Sequence, residues 1–243
     1  MSLCVTTFAA PSRKVIDNGG SGPYKAEAIS EPTLPGFVVY RPCDIDGAVK
    51  GEGAALPLFV FANGACHDTS LPYERMLNDI ASYGYMVVAL GEMQDSVNDR
   101  ELKTSPNIDM IRAIEWAEAQ TGKKGSDYYK GIDTEKVVFG GHSCGGAQTL
   151  ANCADKHVKT CIMFNSGMGN ISMADASKES LKNLHGPILY IAGGDGDMAY
   201  ANAEIDYANI DNVPVAFANH LRAGHGGTFH EQYGGSCSRL ARA

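Results

Sequence analysis

The sequence has no Cys-x-x-Cys pair and no Cys/His spacing suited to zinc, although cysteine occurs seven times, at 4, 43, 66, 144, 153, 161 and 237. A zinc ribbon or a thioredoxin-type redox motif is therefore excluded, while the redox compartment stays open. Positive charge is also short. Lys and Arg total 20 against 28 Asp and Glu, a net charge of −8, and an acidic surface repels phosphate backbones and anionic lipids, which disfavours nucleic-acid and membrane partners. No apolar run approaches the roughly 18–20 residues that a membrane-spanning helix needs. The first ten residues lack the basic segment and long apolar core of a signal peptide. The chain as given is expected to be soluble, and secreted or periplasmic if a leader once preceded it. Internal repeats and charge blocks are absent, and the one Gly-rich tract, Asn18-Gly-Gly-Ser-Gly-Pro23, reads as part of a flexible leader over residues 1–30.

What is present is an ordinary globular composition, 44% hydrophobic and 20% charged over 243 residues. That length suffices for one α/β domain with a full core, or for two small ones. Short apolar runs rich in Val, Ile and Phe occur at 37–40, 58–62, 85–90, 136–139, 158–164, 187–192 and 213–218. Between most of them lie stretches of helical periodicity, at 71–82, 108–120, 145–154, 176–184 and 198–208. Strands apolar throughout and separated by amphipathic helices predict a mostly parallel sheet covered on both faces. Sites in such sheets form at the carboxyl ends of the strands.

Four strand ends carry chemistry. After 136–139 comes Gly140-Gly-His-Ser-Cys-Gly-Gly146, in which Gly141-His142-Ser143-Cys144-Gly145 fits G-x-S-x-G. Set between a strand and a helix, that pattern makes Ser143 a candidate nucleophile. A serine hydroxyl needs a base, and the base an orienting acid, with the acid expected next along the chain and the histidine last. The turn Gly193-Gly-Asp-Gly-Asp-Met198 offers Asp195 and Asp197, and Gly224-His225-Gly-Gly227 brackets His225 with glycines. His220 and His230 are the competing bases, more simply read as a strand-end and a surface histidine. The stretch after 58–62, Asn63-Gly-Ala-Cys-His67, predicts an oxyanion hole made by the N–H of Ala65 and of Cys144, with Gly64 turning the chain back. Gly64, His67, Asn165 and Ser166 are expected to line the substrate pocket.

These segments together resemble the α/β-hydrolase superfamily, over about residues 37–235. The chain is most similar to dienelactone-hydrolase-like and chlorophyllase-like serine esterases, a group related to cutinase-type polyester hydrolases. The carriers are Phe61-Ala-Asn-Gly-Ala-Cys66, Ile80-Ala-Ser-Tyr-Gly-Tyr-Met-Val-Val-Ala89, Gly141-His-Ser-Cys-Gly-Gly146, Gly193-Gly-Asp-Gly-Asp197 and Gly224-His-Gly-Gly-Thr-Phe229. The resemblance implies a single α/β-hydrolase domain over 31–243, a Ser143–His225–Asp197 triad with Asp197 favoured over Asp195, and Ser143 rather than Cys144 as nucleophile. It also implies cleavage of small hydrophobic or aromatic esters, borne by a small molecule or a polymer, through an acyl-enzyme that requires no metal or organic cofactor. A non-catalytic ligand-binding protein of the same fold is the alternative, or a thioesterase or peptidase with the same triad.

Three departures from polyester hydrolases stand out. Ala65 occupies the place of an aromatic residue, Phe164-Asn-Ser-Gly-Met168 lacks the expected Trp, and a shortened final helix follows Cys237. The sole Trp, Trp116, has the helical spacing of a core residue. Cys66 and Cys144 each neighbour an oxyanion donor, and stand either as a disulfide stiffening the hole or as two buried thiols.

Overall fold

The structure, a computed structural model, describes residues 11–243. Its nine strands are β1 (Arg13–Lys14), β2 (Ala26–Ile29), β3 (Phe37–Pro42), β4 (Leu56–Ala62), β5 (Met86–Leu90), β6 (Ile132–His142), β7 (Val158–Phe164), β8 (Ile188–Ala192) and β9 (Val215–Asn219). They form one sheet in the order β1-β2-β3-β5-β4-β6-β7-β8-β9. The pairs from β1 through β3 to β5 are antiparallel and all the others parallel. The helices are α1 (Ile45–Glu52), α2 (Glu74–Ala81), α3 (Asp109–Gly122), α4 (Cys144–Asn152), α5 (Tyr200–Asn209) and α6 (Gly235–Ala241).

Successive residues of a strand point to opposite faces, and in the central strands both sets are apolar. Leu58, Val60 and Ala62 of β4, with Met86, Val88 and Leu90 of β5, face a core shared with α1, α3, α4 and α5. The intervening Phe59, Phe61, Val87 and Ala89 pack against α2 and α6 on the other face. Met76, Leu77 and Ile80 of α2 are almost fully buried, a contribution on the order of 5–9 kcal/mol for the three. Trp116 lies in the α3 core as expected, its indole N–H donating to Thr33 Oγ1 at 2.9 Å.

The seven apolar runs all became strands, but the edge of the sheet differs from expectation. Residues 11–30 are not set ahead of the domain as a leader: β1 and β2 extend the sheet, so the domain begins before residue 31. Their sequence signal is weak because the ties are polar. Glu27, buried in β2, pairs with Arg13 of β1 at 2.7 Å and Arg41 of β3 at 3.6 Å. Ser21 donates through both its N–H and its hydroxyl to Asp79 of α2, and Asn78 Nδ2 donates to the Ile16 carbonyl. The unforeseen α1 contains two glycines and is started by Asp44, which accepts from the N–H of Gly47. The helix expected at 176–184 is a 3-10 stretch, Lys178–Asn183, with Leu181 alone buried, too little apolar surface to hold a longer α-helix. The final helix, α6, packs on α2, where Ser238 Oγ donates to Asp79.

The parallel register brings the strand ends level. Ala62 pairs with Gly141, His142 with Phe164, Phe164 with Ile191 and Ala192 with Asn219. The segments that follow β4, β6, β7, β8 and β9 therefore emerge side by side at one edge.

Candidate active site

Ser143 sits between β6 and α4 with φ 52° and ψ −118°, a backbone conformation costly for a residue with a side chain. The surroundings hold it there. Its N–H donates to the Phe164 carbonyl at 3.1 Å, while its own carbonyl accepts from Gly146 N–H at 2.9 Å and from Ser166 Oγ at 2.7 Å. The turn is closed so tightly against β4 that a Cβ on Gly145 would lie 2.1 Å from the Ala62 carbonyl oxygen.

The side chain of Ser143 meets His225. Its Oγ is 2.9 Å from His225 Nε2, and His225 Nδ1 is 2.7 Å from Asp197 Oδ1. Asp197 is wholly enclosed, whereas about a quarter of the His225 side chain is exposed. Burial raises the Asp197 pKa, but the bonds it accepts from His225, the N–H groups of Ala199 and Gly193, and Asn165 Nδ2 outweigh burial and set it below the usual carboxylate value. An ionised Asp197 fixes the proton of His225 on Nδ1 and leaves Nε2 free to accept the Ser143 hydroxyl proton. Asp195, His220 and His230 are all exposed, and the contacts to the serine–histidine pair are made by Asp197 instead.

The lowered Asp197 pKa has a consequence for stability. Its folded value lies below the unfolded one, so its contribution is complete above the ordinary carboxylate range and is lost as pH falls through the lowered value. Asp197→Asn is expected to remove that part of the acid dependence, and urea midpoints measured across acidic pH would show the flattening. An unchanged acid limb would mean that other carboxylates carry it.

Of the two expected oxyanion donors, Ala65 is the middle residue of the 3-10 turn Gly64–Cys66 and Cys144 opens α4. The turn spends the N–H of Cys66 on Asn63 and that of His67 on Gly64, a step beyond Ala65. Cys144, first residue of α4, has no acceptor within its helix. Cys66 and Cys144 are joined by a disulfide spanning 78 residues of sequence, which locks these two turns together. In the chain-entropy account a closure of that length is worth about 4–5 kcal/mol.

A cavity of about 200 Å³ opens beside Ser143 and His225, walled by Ala147, Ser166, Met168, Ile171, Met173 and Met198. Of the residues expected to line it, Ser166 does. Asn165 lies behind Asp197, donating from Nδ2 to both Asp197 and the Gly224 carbonyl, so it orients Asp197 and the loop that carries His225. His67 is not among the residues lining the cavity; its carbonyl is bound by Asn63 Nδ2 and its backbone is bridged to Thr104. Gly64 is not the residue that reverses the chain, since the positive φ values fall on Ala65 (53°) and Cys66 (54°). Sequence reasoning missed the methionine wall, whose members are scattered through loops without periodicity. A larger polar cavity of about 570 Å³ lies near Arg13, Arg41 and Asp127, and holds no histidine to activate its one thiol, Cys43. Burial and the neighbouring Glu27 push that thiol's pKa up.

No protein-family model matches the chain, and no curated protein matches it in sequence. Among solved structures it is similar to a dienelactone hydrolase from Anabaena variabilis, at a TM-score of 0.56, with 14% sequence identity over 96% of each chain. The chain thus shares the fold of that structure, an α/β-hydrolase fold.

Proposed function

We propose that this protein is a serine hydrolase that cleaves small hydrophobic or aromatic carboxylic esters through an acyl-enzyme. The observation that carries the reading is the unbroken line from Ser143 Oγ through His225 to Asp197, opening on an apolar cavity. Ser143 Oγ attacks the ester carbonyl as its proton passes to His225 Nε2, and Asp197 stabilises the imidazolium formed. The oxyanion of the tetrahedral intermediate is held by the N–H groups of Ala65 and Cys144, each worth roughly 3–4 kcal/mol of transition-state stabilisation. Collapse expels the alcohol, which takes the proton from His225. Water then repeats the sequence on the acyl-enzyme and releases the acid. The neighbour's name supports ester chemistry as well, since a lactone is a cyclic ester.

The cavity sets the acyl group. At about 200 Å³ it lies below the roughly 300–1,000 Å³ of drug-sized ligand sites, and neither Phe, Tyr nor Trp is among the residues lining it. Small acyl groups fit it, and no aromatic clamp supports a flat polymer chain. Across p-nitrophenyl esters from acetate to octanoate, kcat/KM is expected to peak at butyrate or shorter. A peak at octanoate would place the acyl chain elsewhere, and no hydrolysis of any member would remove the esterase reading.

A further inference from the structure

Behind the candidate site, His142 is 8% exposed, boxed by the rings of Tyr73 and Phe229, with its ring 5.0 Å from that of His225 and tilted 42° to it. Its two nitrogens have different partners. Nε2 lies 2.7 Å from the carbonyl oxygen of His225, which can only accept, so Nε2 carries the proton. Nδ1 is then an acceptor, and it receives the Tyr73 hydroxyl at 2.9 Å. The same hydroxyl oxygen accepts the N–H of Gly64 at 2.9 Å. Every donor in this chain meets an acceptor only if His142 is neutral. Burial pushes its pKa down to about 4, in keeping with that state. Gly64 is glycine because of the same contact, as a Cβ there would sit 2.5 Å from Tyr73 Oη and 2.6 Å from His142 Nδ1.

We propose that Tyr73 and His142 are positioning residues that couple the oxyanion turn to the base loop through the chain Gly64 N–H, Tyr73 O–H, His142 Nε2–H, His225 C=O. The role rests on the esterase reading above. One end of the chain adjoins Ala65, whose N–H must meet the developing oxyanion, and the other holds the backbone of the base. Both demands peak in the transition state, so the chain acts on kcat more than on KM.

Tyr73→Phe deletes only the hydroxyl and keeps the ring in its aromatic box. With p-nitrophenyl butyrate it is expected to lower kcat about tenfold and to leave KM within about twofold, the effect of one or two lost bonds. His142→Leu, which severs both links, should cost about 100-fold in kcat. His142→Gln, which keeps an N–H for the His225 carbonyl, should recover about tenfold of that at an equal melting temperature. A Tyr73→Phe kcat within about twofold of wild type, or a glutamine variant no better than leucine, would overturn the proposal. Nitrogen-15 NMR of the histidine rings judges it without turnover. A neutral His142 protonated on Nε2 at pH 7 supports the chain, while a proton on Nδ1 or a cationic ring overturns it. Failure of the esterase reading itself would show separately, as wild-type hydrolysis that is absent or independent of Ser143.

Discussion

Ser143→Ala is expected to lower kcat on p-nitrophenyl esters by about 10⁶-fold while the protein stays folded. The substitution removes the nucleophilic oxygen and little else. The strained turn is held by the N–H and carbonyl of residue 143, bound to Phe164, Gly146 and Ser166, and alanine retains both groups. The cavity walls are contributed by other side chains, so an ester should still bind. His225 keeps Asp197 on Nδ1 and loses only the partner of Nε2. Steady-state rates, with circular dichroism to confirm folding, check this. A folded variant within about 100-fold of wild type would mean that another group attacks the ester.

The second large effect is expected at Asp197. Its four hydrogen bonds all come from donors: Oδ1 accepts from His225 Nδ1 and Ala199 N–H, and Oδ2 from Gly193 N–H and Asn165 Nδ2. Asparagine replaces one oxygen with an amide NH₂, which must face two of those donors. If the amide oxygen keeps Gly193 and Asn165, the NH₂ meets His225 Nδ1 and drives the ring proton to Nε2, where it can no longer accept from Ser143. If the amide flips, the NH₂ confronts Gly193 and Asn165 and the turn after β8 is disrupted. The first arrangement removes the base in its working tautomer and the second displaces the turn that aligns it, so kcat for Asp197→Asn should fall about 10⁴-fold, with a lower melting temperature in the flipped case. A loss under about tenfold would place the orienting acid elsewhere.

The site was legible where one strong local requirement leaves few residue choices. A nucleophile turn needs small neighbours, and Gly141, Gly145 and Gly146 announced it. The turns proposed to supply the acid and the base carried titratable residues among glycines at successive strand ends. Choosing Asp197 over Asp195 and His225 over His220 or His230 by residue type alone was harder, because alternation of exposure within a loop has no period to read. The disulfide was legible only as one of two readings, since it depends on how closely two turns distant in sequence approach.

Other parts depend on partners far along the chain. His142 lies inside the G-x-S-x-G motif, yet its role comes from Tyr73, 69 residues earlier, and from the carbonyl of a loop 83 residues later. Gly64 reads as a turn glycine but serves a close approach, while Ala65 and Cys66 take the left-handed backbone that its type would have suited. Asn165, at a strand end, resembles a pocket residue and instead braces Asp197 from behind. Likewise, β1 and β2 carry no long apolar run, and Glu27 ties them to the sheet through a half-exposed Arg13 and a buried Arg41.

The central claim is that Ser143 is an activated nucleophile, and covalent labelling with a fluorophosphonate tests it most directly. The probe bonds to a serine only where a base accepts the proton and donors hold the phosphoryl oxygen. Incubation at neutral pH followed by intact mass and peptide mapping is expected to give one adduct per chain, on Ser143, absent from Ser143→Ala. No adduct on the folded wild-type protein, or an adduct on another residue, would contradict the account and leave the fold with a binding role or a different nucleophile.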